Sequence, residues 1–290
     1  MRCGITVIEV LVALVIGLLA LGLFVMLLAR HRENALRVQC KNNLKLIGDA
    51  FQQYHDSGGN LAHKRLPPSR IADGYATWAV LIAPYLTKEN PLQQWSEQES
   101  YFAQDEEVRQ ARFLHYFCPS RPRTDTLSVA GDVNKTNTHQ PGALGDYAAV
   151  AGDGSTDWAS VNANGALVLA DGIERKGERI VKWHSVTSLD KLKRGEAYTL
   201  LLGEKHVPAG QFGDAAVGDG SLYNGAHPAS FSRIAGPGFP IAPTVYSPFN
   251  KNFGSYHNGI CQFLNADTSV RWLTPEVSEF VLGELAKRGD

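Results

Sequence analysis

The sequence predicts an α+β fold: one long N-terminal α-helix, membrane-spanning over its first half, packed on a mainly antiparallel β-sheet head with long loops. Three observations carry this expectation. An apolar run extends from Ile5 to Ala29 and is broken by a single charge, Glu9. An apolar stripe at helical spacing continues beyond it. Short β-rich segments, separated by glycine- and proline-rich stretches, fill the rest of the chain.

At about 1.5 Å per residue, the run from Ile5 to Ala29 crosses a hydrocarbon core of roughly 30 Å with length to spare for tilt. Its other interruptions, Thr6, Gly17 and Gly22, are residues that membrane helices tolerate. A cleaved secretory signal has a shorter apolar region, about 7–15 residues, followed by a small-residue cleavage site. Here the run passes straight into Arg30-His31-Arg32-Glu33, so it reads as a retained membrane helix. Arg2 precedes it and Arg30, Arg32, Arg37 and Lys41 follow it, a distribution that by charge alone favours a cytoplasmic C-terminal side.

Leu36, Cys40, Leu44, Ile47, Phe51 and Tyr54 then recur at spacings of three and four, one face of a helix. Arg37, Lys41, Asn42, Lys45 and Gln52 take the other faces. Asp56-Ser57-Gly58-Gly59 supplies a stop, and Pro67-Pro68 marks non-helical chain. The expectation is one helix from about Ile5 to about His55, roughly 75 Å long. Residues 5–29 lie in the membrane, 30–57 form its amphipathic extension, and 58–290 form the head.

Within the head, Ala76–Leu86 and Gln98–Arg112 read as helices. Strands are expected at Tyr147–Ala151, Ala166–Leu169, Ile180–Trp183, Ala197–Gly203, Ile260–Leu264 and Ser269–Leu273. The last two flank Asn265-Ala266-Asp267-Thr268 and form a hairpin. Thr274 and Pro275 read as the cap and first residue of a C-terminal helix running to about Lys287. Two long glycine-, proline- and aspartate-rich stretches, Ala130–Gly142 and Val207–Gly254, are expected to be exposed loops. A formal net charge of -1 gives no electrostatic pull toward nucleic acid, so no such partner is expected.

The first residues, Met1-Arg2-Cys3-Gly4-Ile5-Thr6-Val7-Ile8-Glu9, resemble the N-terminal signal of type IV prepilins. Residues 1–4 correspond to the leader. The resemblance implies that a prepilin peptidase cuts after Gly4, that Ile5 becomes the methylated first residue, and that Glu9 is the assembly glutamate of the fifth mature position. It also implies that Glu9 meets the terminal amine of a neighbouring pilin or pseudopilin subunit. A carboxylate within hydrocarbon costs on the order of 2.5–3.5 kcal/mol, which is a physical reason to expect such a partner. Further along, Gln39-Cys40-Lys41-Asn42-Asn43-Leu44-Lys45, Tyr54-His55-Asp56, Cys118-Pro119-Ser120, Leu201-Leu202-Gly203-Glu204-Lys205 and the interval from His257 to Asp267 resemble a bacterial family of pilin-like proteins, domain of unknown function 1559. Where that family has Asp-Gly, this chain has Asp267-Thr268, which makes it a divergent copy. The resemblance implies an inner-membrane, single-pass protein with an extracytoplasmic head, opposite to the orientation the flanking charges favour. Once assembled, it would stand in a cell-surface filament or secretion pseudopilus.

Cys3 would leave with the leader. An oxidising exterior would permit a disulfide between Cys40 and Cys118, with free buried thiols as the alternative, and Cys261 reads as a buried strand residue. No CxxC occurs, which argues against a structural zinc. Two acid–glycine clusters, containing Asp153 and Asp157 and Asp214 and Asp219, are the calcium candidates; solvated turns are the simpler reading, and no other cofactor is expected. His257 and Asp267 would lie about 30 Å apart along an extended strand, so they read as hydrogen-bonding residues rather than an acid–base pair. Glu204-Lys205-His206 reads as a charged strand exit. With no nucleophile elbow, phosphate loop or metalloprotease motif, the chain is read as non-enzymatic. It is expected to be a structural assembly subunit; the alternative is a membrane-anchored module binding a polysaccharide or protein.

Overall fold

The computed structural model describes residues 6–58 and 64–289. Helix α1 runs from Val7 to Asp56, 50 residues without a break. Its start is set by a reciprocal cap: the Thr6 hydroxyl accepts from the Glu9 N–H, and the Glu9 carboxylate accepts from the Thr6 N–H at 2.8 Å. Its end falls at the expected stop, with Ser57 as the cap and Gly58 at φ 80°. The processing residues Gly4 and Ile5 lie outside the described residues.

The remaining helices are α2 (Trp78–Leu81), α3 (Ala83–Leu86), α4 (Glu106–Gln110), α5 (Pro228–Phe231) and α6 (Glu279–Ala286). The strands are β1 (Tyr147–Val150), β2 (Asp171–Lys176), β3 (Arg179–His184), β4 (Leu200–Glu204), β5 (Ser232–Arg233), β6 (Cys261–Asn265) and β7 (Val270–Leu273). The main sheet has the order β5-β1-β4-β6-β7, antiparallel except where β5 joins β1, and β2 pairs with β3 in a separate hairpin.

Strands β5, β1, β4 and β6 are buried on both faces, and the edge strand β7 is partly exposed. Tyr147, Ala149, Leu202 and Leu264 point into a large core shared with Leu44, Ile47, Phe51 and Tyr54 of α1. Their alternates Ala148, Val150 and Phe263 point into a smaller core with Leu282 and Leu285 of α6. The stripe read from the sequence is therefore the docking face of α1, buried from Cys40 onward. The helix comes closest to the hairpin at Gly48, where a Cβ would lie 2.9 Å from Leu264 Cδ1.

Several expected elements differ. Ala76–Leu86 is split into α2 and α3 because Pro84 lacks the N–H that a continuous helix needs. Gln98–Arg112 forms only a single 3₁₀ turn and α4. Between them, the buried Gln104 side chain bonds both the N–H and the carbonyl of Ser96, so tertiary partners replace helical ones. Ala166, Leu167 and Val168 are buried and Leu169 half-buried, but residues 166–169 form no strand. Helix α6 starts after Ser278 rather than Thr274, since the Val277 N–H closes a turn onto the Thr274 carbonyl. Most far-reaching, Val207–Gly254 is not an exposed loop: it contributes β5, α5 and the buried Leu222, Tyr223, Ile234 and Phe253.

The β6–β7 hairpin forms as expected, and its turn places Thr268 at φ 66°. A β-branched residue is poorly suited to this left-handed conformation, which costs non-glycine residues about 1–3 kcal/mol. Thr268→Gly is expected to raise stability by about 1 kcal/mol after the added unfolded-state entropy of glycine is offset. Urea unfolding checks this; an unchanged or lowered midpoint would show that the threonine side chain contributes more than its backbone costs.

Candidate functional site

Two features stand out, and α1 joins them. The first is its N-terminal half. From Val7 to Leu28 every large apolar side chain is exposed, Val7 at 76% and Leu28 at 53%. This half is long and apolar enough to cross a membrane, and none of its apolar window is buried against the rest of the chain. Glu9 lies on this segment, its carboxylate turned back onto Thr6, with the hydroxyl at 3.0 Å. Thr6-Val7-Ile8-Glu9 is a capping-box sequence that the family resemblance had cast as an assembly signal alone.

The second feature lies where α1 enters the head. Cys40 comes from α1, Cys118 from the segment before Pro119, Glu204 from the end of β4 and His257 from the approach to β6. All four are buried, and one donor atom from each lies within 4.8 Å of the others. Cys40 Sγ and Cys118 Sγ are 2.7 Å apart, so the expected cysteine partners do meet; both are free thiols. Cys118 Sγ lies 3.4 Å from Glu204 Oε1 and 3.6 Å from His257 Nε2. His257 Nε2 is 3.5 Å from Glu204 Oε1.

The surroundings of the cluster are ordered. His257 Nδ1 faces Glu33 Oε1 at 2.8 Å, and Arg37 holds that carboxylate at 3.1 Å. A carboxylate can only accept, so Nδ1 carries a proton and Nε2 is the atom aimed at the sulfurs. The Gln262 N–H donates to Glu204 Oε2 at 2.8 Å, leaving Oε1 toward the cluster. Burial would depress the His257 imidazole. The Cys40 hydrogen bond and the Glu204 and Glu33 carboxylates outweigh it and raise the group to about 9. Burial raises the Glu204 carboxyl, against the opposing pull of His257. Cys261, on β6, is buried as expected and donates to the Glu204 carbonyl at 3.6 Å.

His257 and Glu204 were legible only as a hydrogen-bonding residue and a strand exit, because their partners are distant in sequence. Asp267, by contrast, sits in the hairpin turn and accepts from Ser269 N at 3.0 Å.

The calcium candidates accept hydrogen bonds from within the protein. Asp153 is bonded by Ser155 and Asn164, Asp157 by the Ala159 N–H, and Asp214 by the Ala216 N–H. Asp219 is fully buried and belongs to an ionic cluster that the sequence did not reveal. Arg123 bridges Asp219 and Asp146, with contacts of 2.7 and 2.9 Å to Asp219. Lys205 Nζ lies 3.0 Å from Asp219. Arg121 pairs with Asp146 at 3.2 Å, and Asp146 also accepts from the Cys118 N–H. The aromatic residues Tyr256, Phe212 and Phe249 cover Arg121, Arg123 and Arg233, the last at 4.8 Å. Two of these rings come from the stretch expected to be an exposed loop. Burial lowers the Lys205 ammonium to about 8, with Asp219 opposing and Arg233 and Arg123 reinforcing the fall.

Away from both features, an open groove of about 720 Å³ is lined by Asp73, Tyr75, Phe102, Lys135 and Arg175. The Arg175 guanidinium lies over the Tyr75 ring at 4.9 Å.

Taken together, the fold defines a protein with one N-terminal helix fit to anchor it in a membrane, continuous with an α+β head. Over residues 29–279 the chain matches the family described as a protein of unknown function, DUF1559, and it belongs to that family. Neither a curated protein nor a solved structure gives a significant match.

Proposed function

We propose that the chain is a structural subunit of a type IV pilus-like or type II secretion pseudopilus-like assembly, held in the inner membrane before assembly with its head extracytoplasmic. The observation that carries this reading is α1 itself. Its first half is apolar on every side and is not buried against its own head, yet it is one continuous helix with the half that docks the head. A tether needs only to reach the membrane. A filament subunit needs its head held at a set distance and angle from a helix that packs on other copies, and an unbroken 50-residue helix meets that need. Glu9 then has two partners in succession. In the single chain it closes on Thr6; in the assembly it would take the terminal amine of a neighbour, after a prepilin peptidase has cut behind Gly4.

The test is the mass of the N-terminal peptide from native membranes. A peptide beginning at Ile5 and carrying one added methyl group is expected. An intact start at Met1 would sink the assembly reading. The groove around Tyr75 and Arg175 would then be the place to look for a polysaccharide or protein ligand.

A further inference from the structure

We propose that Cys40, Cys118, Glu204 and His257 form a binding site for a thiophilic divalent cation, zinc(II) foremost. Zinc bonded to sulfur at about 2.3 Å, and to nitrogen or oxygen at about 2.0–2.2 Å, spaces its tetrahedral ligands about 3.3–3.8 Å apart. The three edges joining Cys118 Sγ, Glu204 Oε1 and His257 Nε2 measure 3.4, 3.6 and 3.5 Å. These three donors already form one face of such a tetrahedron. Cys40 supplies the fourth corner once its sulfur, 2.7 Å from Cys118, swings away by about 1 Å, a side-chain rotation on α1.

The outer contacts match the chemistry of a metal centre. A metal-bound histidine usually donates its other N–H to a carboxylate, which fixes the tautomer and strengthens the ligand. Glu33 does this at 2.8 Å and is itself held by Arg37. Gln262 orients Glu204 in the same way.

The charge balance also fits. Two thiolates and a carboxylate around a dication leave one negative charge. Next to the site, linked through Asp146 and the Cys118 N–H, the buried side chains of Arg121, Arg123, Lys205 and Arg233 outnumber those of Asp146 and Asp219. With four protein ligands the site is closed, so its role is structural: it clamps α1 to the head through three separate segments.

The experiment uses the full chain, extracted in detergent from native membranes with thiols trapped and no chelator present. Metal analysis is expected to give about one zinc per chain, with Cys40 and Cys118 recovered as thiols. Exchange with cobalt(II) should produce a thiolate-to-metal charge-transfer band. Cys118→Ser should abolish stoichiometric binding. Glu33→Gln, which touches no ligand sulfur, should keep one metal per chain but weaken affinity about 10–100-fold. Recovery of Cys40 and Cys118 as a disulfide, or of a metal-free dithiol that takes up neither zinc nor cobalt, would overturn the proposal.

Discussion

Replacing Asp219 with asparagine is expected to destabilise the head by about 3–5 kcal/mol, the usual effect of removing one partner from a buried ionic network. The Asp219 carboxylate is fully buried and faces Arg123 and Lys205, while Gly213 donates to it at 2.8 Å. Asparagine keeps the shape but withdraws the charge and turns an NH₂ group toward cations. With only Asp146 left among them, Arg121, Arg123, Lys205 and Arg233 would be undercompensated in a region that water does not reach. Asp214→Ala, which removes only a cap to the Ala216 N–H, should cost about 1 kcal/mol.

The pH dependence gives a second reading of the same effect. Burial would raise the Asp219 carboxyl, but Lys205 and Arg123 overcome it and hold the group far below the usual carboxylate range. A depressed carboxyl stabilises the fold above its unfolded value, about 3.9, and that stability is lost as pH falls below it. The gap between wild type and Asp219→Asn should therefore be widest near neutrality and narrow below about pH 4. Guanidinium unfolding at several pH values checks both; a pH-independent gap would mean the loss is one of packing, not charge.

Trp78→Ala is expected to cost a similar 3–5 kcal/mol, here through a cavity. Trp78 is fully buried, stacks on Phe51 of α1 at 5.7 Å, meets the Tyr116 ring edge-on at 5.6 Å and donates to the Phe231 carbonyl at 2.9 Å. It joins α1, α2 and α5 around one ring system. Its loss should weaken the seating of α1 as well as the core, so amide exchange should quicken along Ile47–Tyr54 more than in the β2–β3 hairpin. Trp78→Phe keeps a six-membered aromatic ring but loses the N–H and part of the indole volume, and should cost less than Trp78→Ala, about 1–3 kcal/mol. Uniform quickening across the head would place the residue in the global core and not at the helix–head joint.

Much of the framework was legible because its signals are local. The run from Ile5 to Ala29 and the stripe from Cys40 to Tyr54 encode their own helix and its docking face. Asp56-Ser57-Gly58 encodes the end, and Asn265 to Thr268 encodes a turn between two apolar runs. Where the reading failed, a distant partner had outbid local preference. Gln104 gave up a helix for Ser96, and the charged Asp171–Lys176 became a strand only because β3 lay beside it. The stretch from Val207 to Gly254 looked exposed because glycines and prolines dominate it. Yet Phe212, Asp219 and Phe249 are spaced along it to neutralise and cover buried cations, Arg233 of the same stretch among them.

By itself the sequence determined a membrane-length helix, its continuation into a head, and the face on which that head rests. Periodicity and chain-stopping residues act within a turn or two, and burial follows from them. Only the tertiary structure decided that residues 40, 118, 204 and 257 meet, and that Asp219 is buried as the counter-ion of Arg123 and Lys205. Such convergence depends on how α1 lies across the sheet and where the segments bearing Cys118 and His257 fold back beside Glu204. No spacing along the chain carries that information, because the separations are set by packing rather than by any local period.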